Sequence, residues 1–167
     1  MLKWTLMIVG GLVVLIGAVA VIGLMLPKDH HAAKTMTVRA APATVFGVIT
    51  DFAKAAEWRS DLQRVEMLPN EGGAIMFREI GSQGPMTFRV EALEPPTRLV
   101  TRIADKSLPF GGTWTYDLKP QGSGTELTIT EDGEVYNPIF RFMSKFFFSQ
   151  TATIEAYQAS LKKKLGE

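Results

Sequence analysis

The chain has 167 residues, a formal net charge of +1 and 46% hydrophobic residues, enough for one globular domain. So small a charge gives no basis for a nucleic-acid partner, which calls for a strongly basic face. There is no cysteine, which excludes disulfides, thiolate nucleophiles and cysteine metal sites.

Trp4 to Leu26, "WTLMIVGGLVVLIGAVAVIGLML", runs 23 residues without a charge. As a helix it spans roughly 35 Å, against about 30 Å of bilayer hydrocarbon. A secretory signal has an apolar stretch of about 7–15 residues and a small-x-small cleavage site, and "GLMLPKDHH" contains no such site. The segment 1–26 therefore reads as an uncleaved transmembrane anchor, placing the protein in the cell membrane as a single-pass protein. Its orientation stays open. Lys28, Lys34 and Arg39 follow the span and only Lys3 precedes it, which favours a cytoplasmic domain, whereas a short tail before one span suits the reverse. Small residues do not recur four apart in the span, so nothing signals helix dimerisation, and a monomer is expected.

Residues 27–34, "PKDHHAAK", read as a polar linker of at most about 28 Å, holding the domain against the bilayer. His30 and His31 are adjacent in it and read as solvated. They are the only histidines, which removes a histidine-based acid/base site from the interior of a domain at 35–167.

"TMTVRA" at 35–40 alternates, with Met36 and Val38 on one face, and predicts a strand. "APATVFGVITDF" carries Val45, Phe46, Ile49 and Phe52 at helical spacing after Pro42. "AKAAEWRSDL" predicts a second short helix bearing Trp58. Then come "RVEML", "AIMFREI", "MTFRVEAL", "RLVTRIA", "TWTYDLKP" and "TELTITEDGEV". They are separated by the turns "PNEGG", "GSQGP", "EPPT", "LPFGG" and "QGSG". Short segments with glycine- and proline-rich connections predict an antiparallel meander. Asn137-Pro138 opens a last helix, predicted to run to about Leu165, and only that helix is long enough to cover the sheet.

In this order, "APATVFGVITDFAKAAEW", "ALEPPTRLVTRI" and "GGTWTYDLKPQGSGTELTITEDGEV" resemble the SRPBCC superfamily (START/Bet v1-like, polyketide cyclase/dehydrase-like), from Thr35 to the C-terminus. The resemblance implies an α+β helix-grip fold. In it a curved antiparallel sheet of about seven strands wraps a long C-terminal helix, with two short helices after strand 1. Here one transmembrane helix precedes it. The resemblance also implies an apolar cavity between sheet and helix. Members include lipid carriers, hormone receptors, cyclases and oxygenase domains, so the fold fixes no activity.

Strand parity sorts the inner face from the outer. Met86, Phe88, Val90 and Ala92 share a face, as do Leu99, Thr101 and Ile103; Trp114, Tyr116 and Leu118; and Leu127, Ile129 and Glu131. Apolar residues so placed are either core or cavity wall, and only the family fold argues for a cavity. An inward Glu131 at the end of an apolar face is either solvated at the strand mouth or a carboxyl with a raised pKa. On the last helix, Ile139, Met143, Phe147, Gln150, Ile154, Tyr157, Leu161 and Leu165 form one stripe, which predicts burial of Phe147. Phe142 and Phe148 fall off that stripe and are left for a loop, a lipid surface or a partner.

The resulting expectation is a binding protein for a hydrophobic small molecule or lipid. Its cavity is lined by Phe88, Leu99, Trp114, Tyr116, Ile129, Glu131, Met143, Phe147 and Gln150. No metal or cofactor is expected, since no loop or acidic cluster has the required spacing. The rivals are a cyclase- or dehydratase-like enzyme using Tyr116 and Glu131, and a ligand-free interaction module.

Overall fold

A computed structural model describes residues 2–82 and 84–167. Met1 and Gln83 lie outside the described residues, and with Gln83 the middle of the predicted "GSQGP" turn. The strands are β1 (Asp29–Val38), β2 (Leu62–Glu71), β3 (Ala74–Gly81), β4 (Gly84–Glu94), β5 (Arg98–Ile103), β6 (Phe110–Gln121) and β7 (Gly124–Val135). They form one open antiparallel sheet in the order β1-β7-β6-β5-β4-β3-β2. Consecutive strands from β2 to β7 lie side by side, as a meander requires.

Helix α1 (Leu2–Met25) precedes the sheet. Helix α2 (Pro42–Thr50) follows β1 with proline in its first turn, where a missing N–H removes no helical hydrogen bond. It buries Val45, Phe46 and Ile49. A 3-10 helix, Phe52–Glu57, then stacks Phe52 on Phe77 with ring centroids 4.3 Å apart. Parity works as predicted on the middle strands: Leu99, Tyr116, Leu118, Leu127 and Ile129 are all buried. Register sets Leu99 opposite Tyr116, and Tyr116 opposite Ile129. Helix α4 (Ala152–Lys164) joins this core through Ile154, Tyr157 and Leu161.

The first strand starts at Asp29 rather than Thr35. Its main chain pairs with β7 from Asp29 opposite Glu134 to Val38 opposite Thr125. Ladder hydrogen bonds to a neighbour can hold an edge segment that lacks clear apolar alternation. Both histidines therefore sit in a strand rather than a linker: His30 is half-buried with Nε2 3.4 Å from Glu131 Oε1, whereas His31 is solvated as expected, with Nδ1 2.7 Å from Asp132 Oδ1.

The C-terminal helical segment is not continuous either. Helix α3 (Pro138–Phe147) ends where Phe148 takes an extended conformation, and α4 begins after Thr151. The predicted stripe holds only in α4. In α3, Ile139 is 41% and Phe147 66% exposed, because α3 packs mainly against α1 and touches the sheet only at β6 and the end of β7.

Helix α1 is long and apolar enough to cross a membrane. Most of it is exposed, except Val19, Ala20 and Gly23 near its C-terminal end. Gly23 meets the main chain of Pro138 so closely that a Cβ would collide with it. Beside it the buried Arg141 donates from Nη1 to the carbonyls of Gly23 and Leu26, both at 3.0 Å. Its Nε and Nη2 donate to the carbonyls of Val135 and Tyr136.

Candidate functional site

The inner face of the sheet has a closed half and an open half. In the closed half Leu99 and Ile129 are 1% and 0% exposed and belong to the core cluster that contains Ile154 and Leu161. In the open half Phe88, Ile103 and Trp114 are only half-buried. Helix α4 reaches Trp114 through Tyr157, while α3 packs mainly on α1. Phe88 stacks on the buried Phe77 with centroids 5.3 Å apart. Trp114 lies 6.0 Å from the Tyr157 ring and 6.1 Å from that of Tyr116. The result is an aromatic wall that the rest of the chain covers only in part.

Three polar groups border this wall. The first is a buried ion pair. Arg59, just after the 3-10 helix, donates from Nη1 to Glu79 on β3. Its Nη2 and Nε donate to Asp61 at 2.7 and 3.3 Å, and the guanidinium lies 5.2 Å from the Tyr157 ring. Burial opposes the Arg59 charge, but Glu79 and Asp61 outweigh it and hold the group above its ordinary value. Burial also raises the Glu79 carboxyl, and Arg59 offsets that only in part. All three guanidinium nitrogens are engaged by carboxylates, so this pair holds the fold and has little left to offer a ligand.

The second group is Tyr116 and Tyr157, whose ring centroids lie 5.4 Å apart. Burial pushes both phenols well above their ordinary value. At physiological pH they are neutral and cannot serve as bases.

The third group closes the open end. Register aligns Thr101, Trp114, Glu131 and Ala32 across four strands, and aligns Gly112, Gly133 and His30 one step further on. The His30 ring lies directly over Gly133, where a Cβ would occupy the same space. Glu131 accepts from Thr153 Oγ1 at 3.3 Å and faces His30. Burial raises the Glu131 carboxyl, with His30, Thr153 and Trp114 pulling the other way.

A carboxyl whose folded pKa is raised favours the folded state below its unfolded pKa and loses that advantage as pH rises through the folded value. Glu131→Gln, made in a His30→Gln background so that no imidazole titrates beside it, tests this. Its melting temperature should exceed that of its Glu131 parent by more at about pH 7 than at about pH 4. The opposite trend would show that the carboxyl is held in its charged form.

The nine predicted site residues thus fall into three places. Phe88, Trp114 and Glu131 border the open half, while Leu99, Tyr116 and Ile129 are packed core. Met143 and Gln150 are half-buried on α3 and in the break after it, and Phe147 faces away from the sheet. Sequence reasoning missed Arg59, Glu79 and His30. Parity in "AIMFREI" carries the signal for Glu79, which shares a face with Phe77. A surface depression of about 340 Å³, lined by His30, His31, Arg102, Asp132 and Gly133, adjoins the third group, and another of about 610 Å³, lined by Gly72, Arg89 and Leu93, lies elsewhere. No metal-ligand cluster occurs among the described residues.

Residues 29–165 match the family described as polyketide cyclase/dehydrase and lipid transport. A START superfamily protein from Mycobacterium smegmatis shares the fold with a TM-score of 0.65 at 18% identity, over 82% of this chain and 97% of that one. Zhui aromatase/cyclase from a Streptomyces species aligns with a TM-score of 0.64 at 14% identity, over 81% and 93%. Norcoclaurine synthase from Thalictrum flavum aligns at 0.63 and 10% identity, over 83% and 87%. At these identities the likeness shows the fold alone. No curated protein matches the chain.

Proposed function

The chain belongs to the polyketide cyclase/dehydrase and lipid transport family, and on that premise we propose that it is a membrane-anchored binding protein for a hydrophobic small molecule or lipid. The observation that carries this reading is the half-open aromatic wall of Phe88 and Trp114 on the inner sheet face. Partly exposed rings backed by a packed core are the surface an apolar ligand covers favourably, at roughly 25 cal/mol per Å² before binding costs. The neighbouring polar groups largely satisfy one another, which suits retention of a ligand better than its chemical conversion. Anchoring is supported by α1, apolar and exposed over most of its length. Only Leu26, Pro27 and Lys28 separate it from β1, so the domain is held at the bilayer surface.

Native mass spectrometry of the detergent-solubilised chain should reveal a co-purified hydrophobic molecule. Phe88→Ala and Trp114→Ala should each weaken binding of a fluorescent acyl or isoprenoid probe by about tenfold, the effect of 1.4 kcal/mol. Equal binding by both variants and wild type would remove the site from this wall.

A second reading, a cyclase-like enzyme, is favoured by one observation: His30 and Glu131 stand together beside Trp114 with a raised carboxyl. Such a pair is suited to proton transfer, whereas Tyr116 is buried under α4. Glu131→Gln separates the readings. A binding protein keeps its affinity for the probe, and an acid/base enzyme loses turnover.

A further inference from the structure

Helix α3 has an apolar face that the rest of the chain covers only in part. At about 100° per residue, Ile139, Phe140, Phe142, Met143, Phe146 and Phe147 fall within an arc of about 160°. Pro138, Arg141, Ser144 and Lys145 occupy the remainder. The polar side is the attached side: Arg141 is buried, and its guanidinium holds the carbonyls at the end of α1. The apolar side faces outward. Phe146 and Phe147 are 58% and 66% exposed, and Phe148 just beyond them is 56% exposed. Clustered aromatics left open to water are unfavourable and mark a surface meant for something else.

We propose that α3 is an interfacial membrane helix, whose Phe142, Phe146 and Phe147 enter the bilayer beside α1. The inference rests on the anchor reading given above. Position selects the occupant. Helix α3 packs along the last turns of α1, with Gly23 against Pro138. Any bilayer that encloses α1 therefore meets α3 as well. An amphipathic helix with aromatics on one side and a cation such as Lys145 on the other matches the headgroup–acyl boundary. The domain then has two contacts with the membrane, one crossing it and one lying in it.

The absence of cysteine allows a single nitroxide label at any chosen position of the full chain. Phe147→Cys is labelled in vesicles of phosphatidylcholine and phosphatidylglycerol, with Val14→Cys in α1 and Ser123→Cys in the β6–β7 turn as references. The label at 147 should collide severalfold more with oxygen, and severalfold less with a water-soluble nickel chelate, than the label at 123, approaching the label at 14. Phe146→Cys repeats the measurement at a second exposed ring. If 147 and 146 read as aqueous while 14 reads as lipid, the interfacial helix is wrong and the anchor stands. If 14 is also aqueous, both fail. Shielding of 146 and 147 from both reagents would assign the face to a protein partner, which also overturns the proposal.

Discussion

Replacing Glu79 by alanine is expected to remove about 3–5 kcal/mol of stability, the usual effect of leaving one member of a buried ion pair alone. Glu79 is 7% exposed and faces Arg59, whose guanidinium also lies against Tyr157. Without Glu79 a buried guanidinium keeps only Asp61, a carboxylate at the surface. Burial works against the Glu79 charge even beside Arg59, and replacing a buried ion pair by well-packed apolar residues is often close to neutral. Replacing both partners by apolar residues, Arg59→Met with Glu79→Leu, should therefore recover most of the loss. At about 2–4 °C per kcal/mol for a chain of this size, the single variant should melt roughly 10 °C lower. Tryptophan fluorescence of the detergent-solubilised chain can follow this, because Trp58 and Trp114 both lie against Tyr157. A double variant as unstable as the single one would show that the pair contributes specific stability of its own.

The sheet was legible because its order depends on period-two alternation. Leu99, Tyr116 and Ile129 lie on three consecutive strands and meet on one face, as strand parity predicts. Three features were not legible, each for its own reason. "DHHAAK" lacks the run of alternating large apolar residues that signals a strand, because an edge strand is held by its ladder. The stripe through Met143, Phe147, Gln150 and Ile154 keeps helical spacing across a helix break. Spacing cannot register that Phe148 is extended; the polar run Ser149-Gln150-Thr151 was the available sign. Arg59 and Glu79 stand apart in sequence among charged residues that usually face water, and only the folded register brings them together. The open half of the site follows from the second of these. It exists because α3 leaves the sheet, so no reading that continued the helix could have located it.

Arg141→Met is expected to detach α1 and α3 from the end of the sheet while leaving the core intact. The last carbonyls of a helix have no partner within it and carry its negative end. At the end of α1 that role falls to Arg141, a residue distant in sequence, which reaches the carbonyls of Gly23 and Leu26 together with those of Val135 and Tyr136. A planar guanidinium can serve both sides of this junction at once; an ammonium cannot. Arg141→Lys should therefore rescue little. Each buried carbonyl left without a donor costs about 1–3 kcal/mol, so local opening should become on the order of a hundredfold more frequent. Hydrogen exchange of the full chain reads this by region. Protection should fall in α3 and at Val135, whose N–H donates to the carbonyl of Lys28 at 2.8 Å, while Leu99, Leu127 and Ile129 keep theirs. Uniform loss across the sheet would instead make Arg141 part of the core, and unchanged exchange in α3 would mean that Gly23 against Pro138 suffices to hold the joint. Where the predicted local loss is seen, the domain owes its fixed attitude over α1, and with it the direction in which the aromatic wall opens, to this one buried charge.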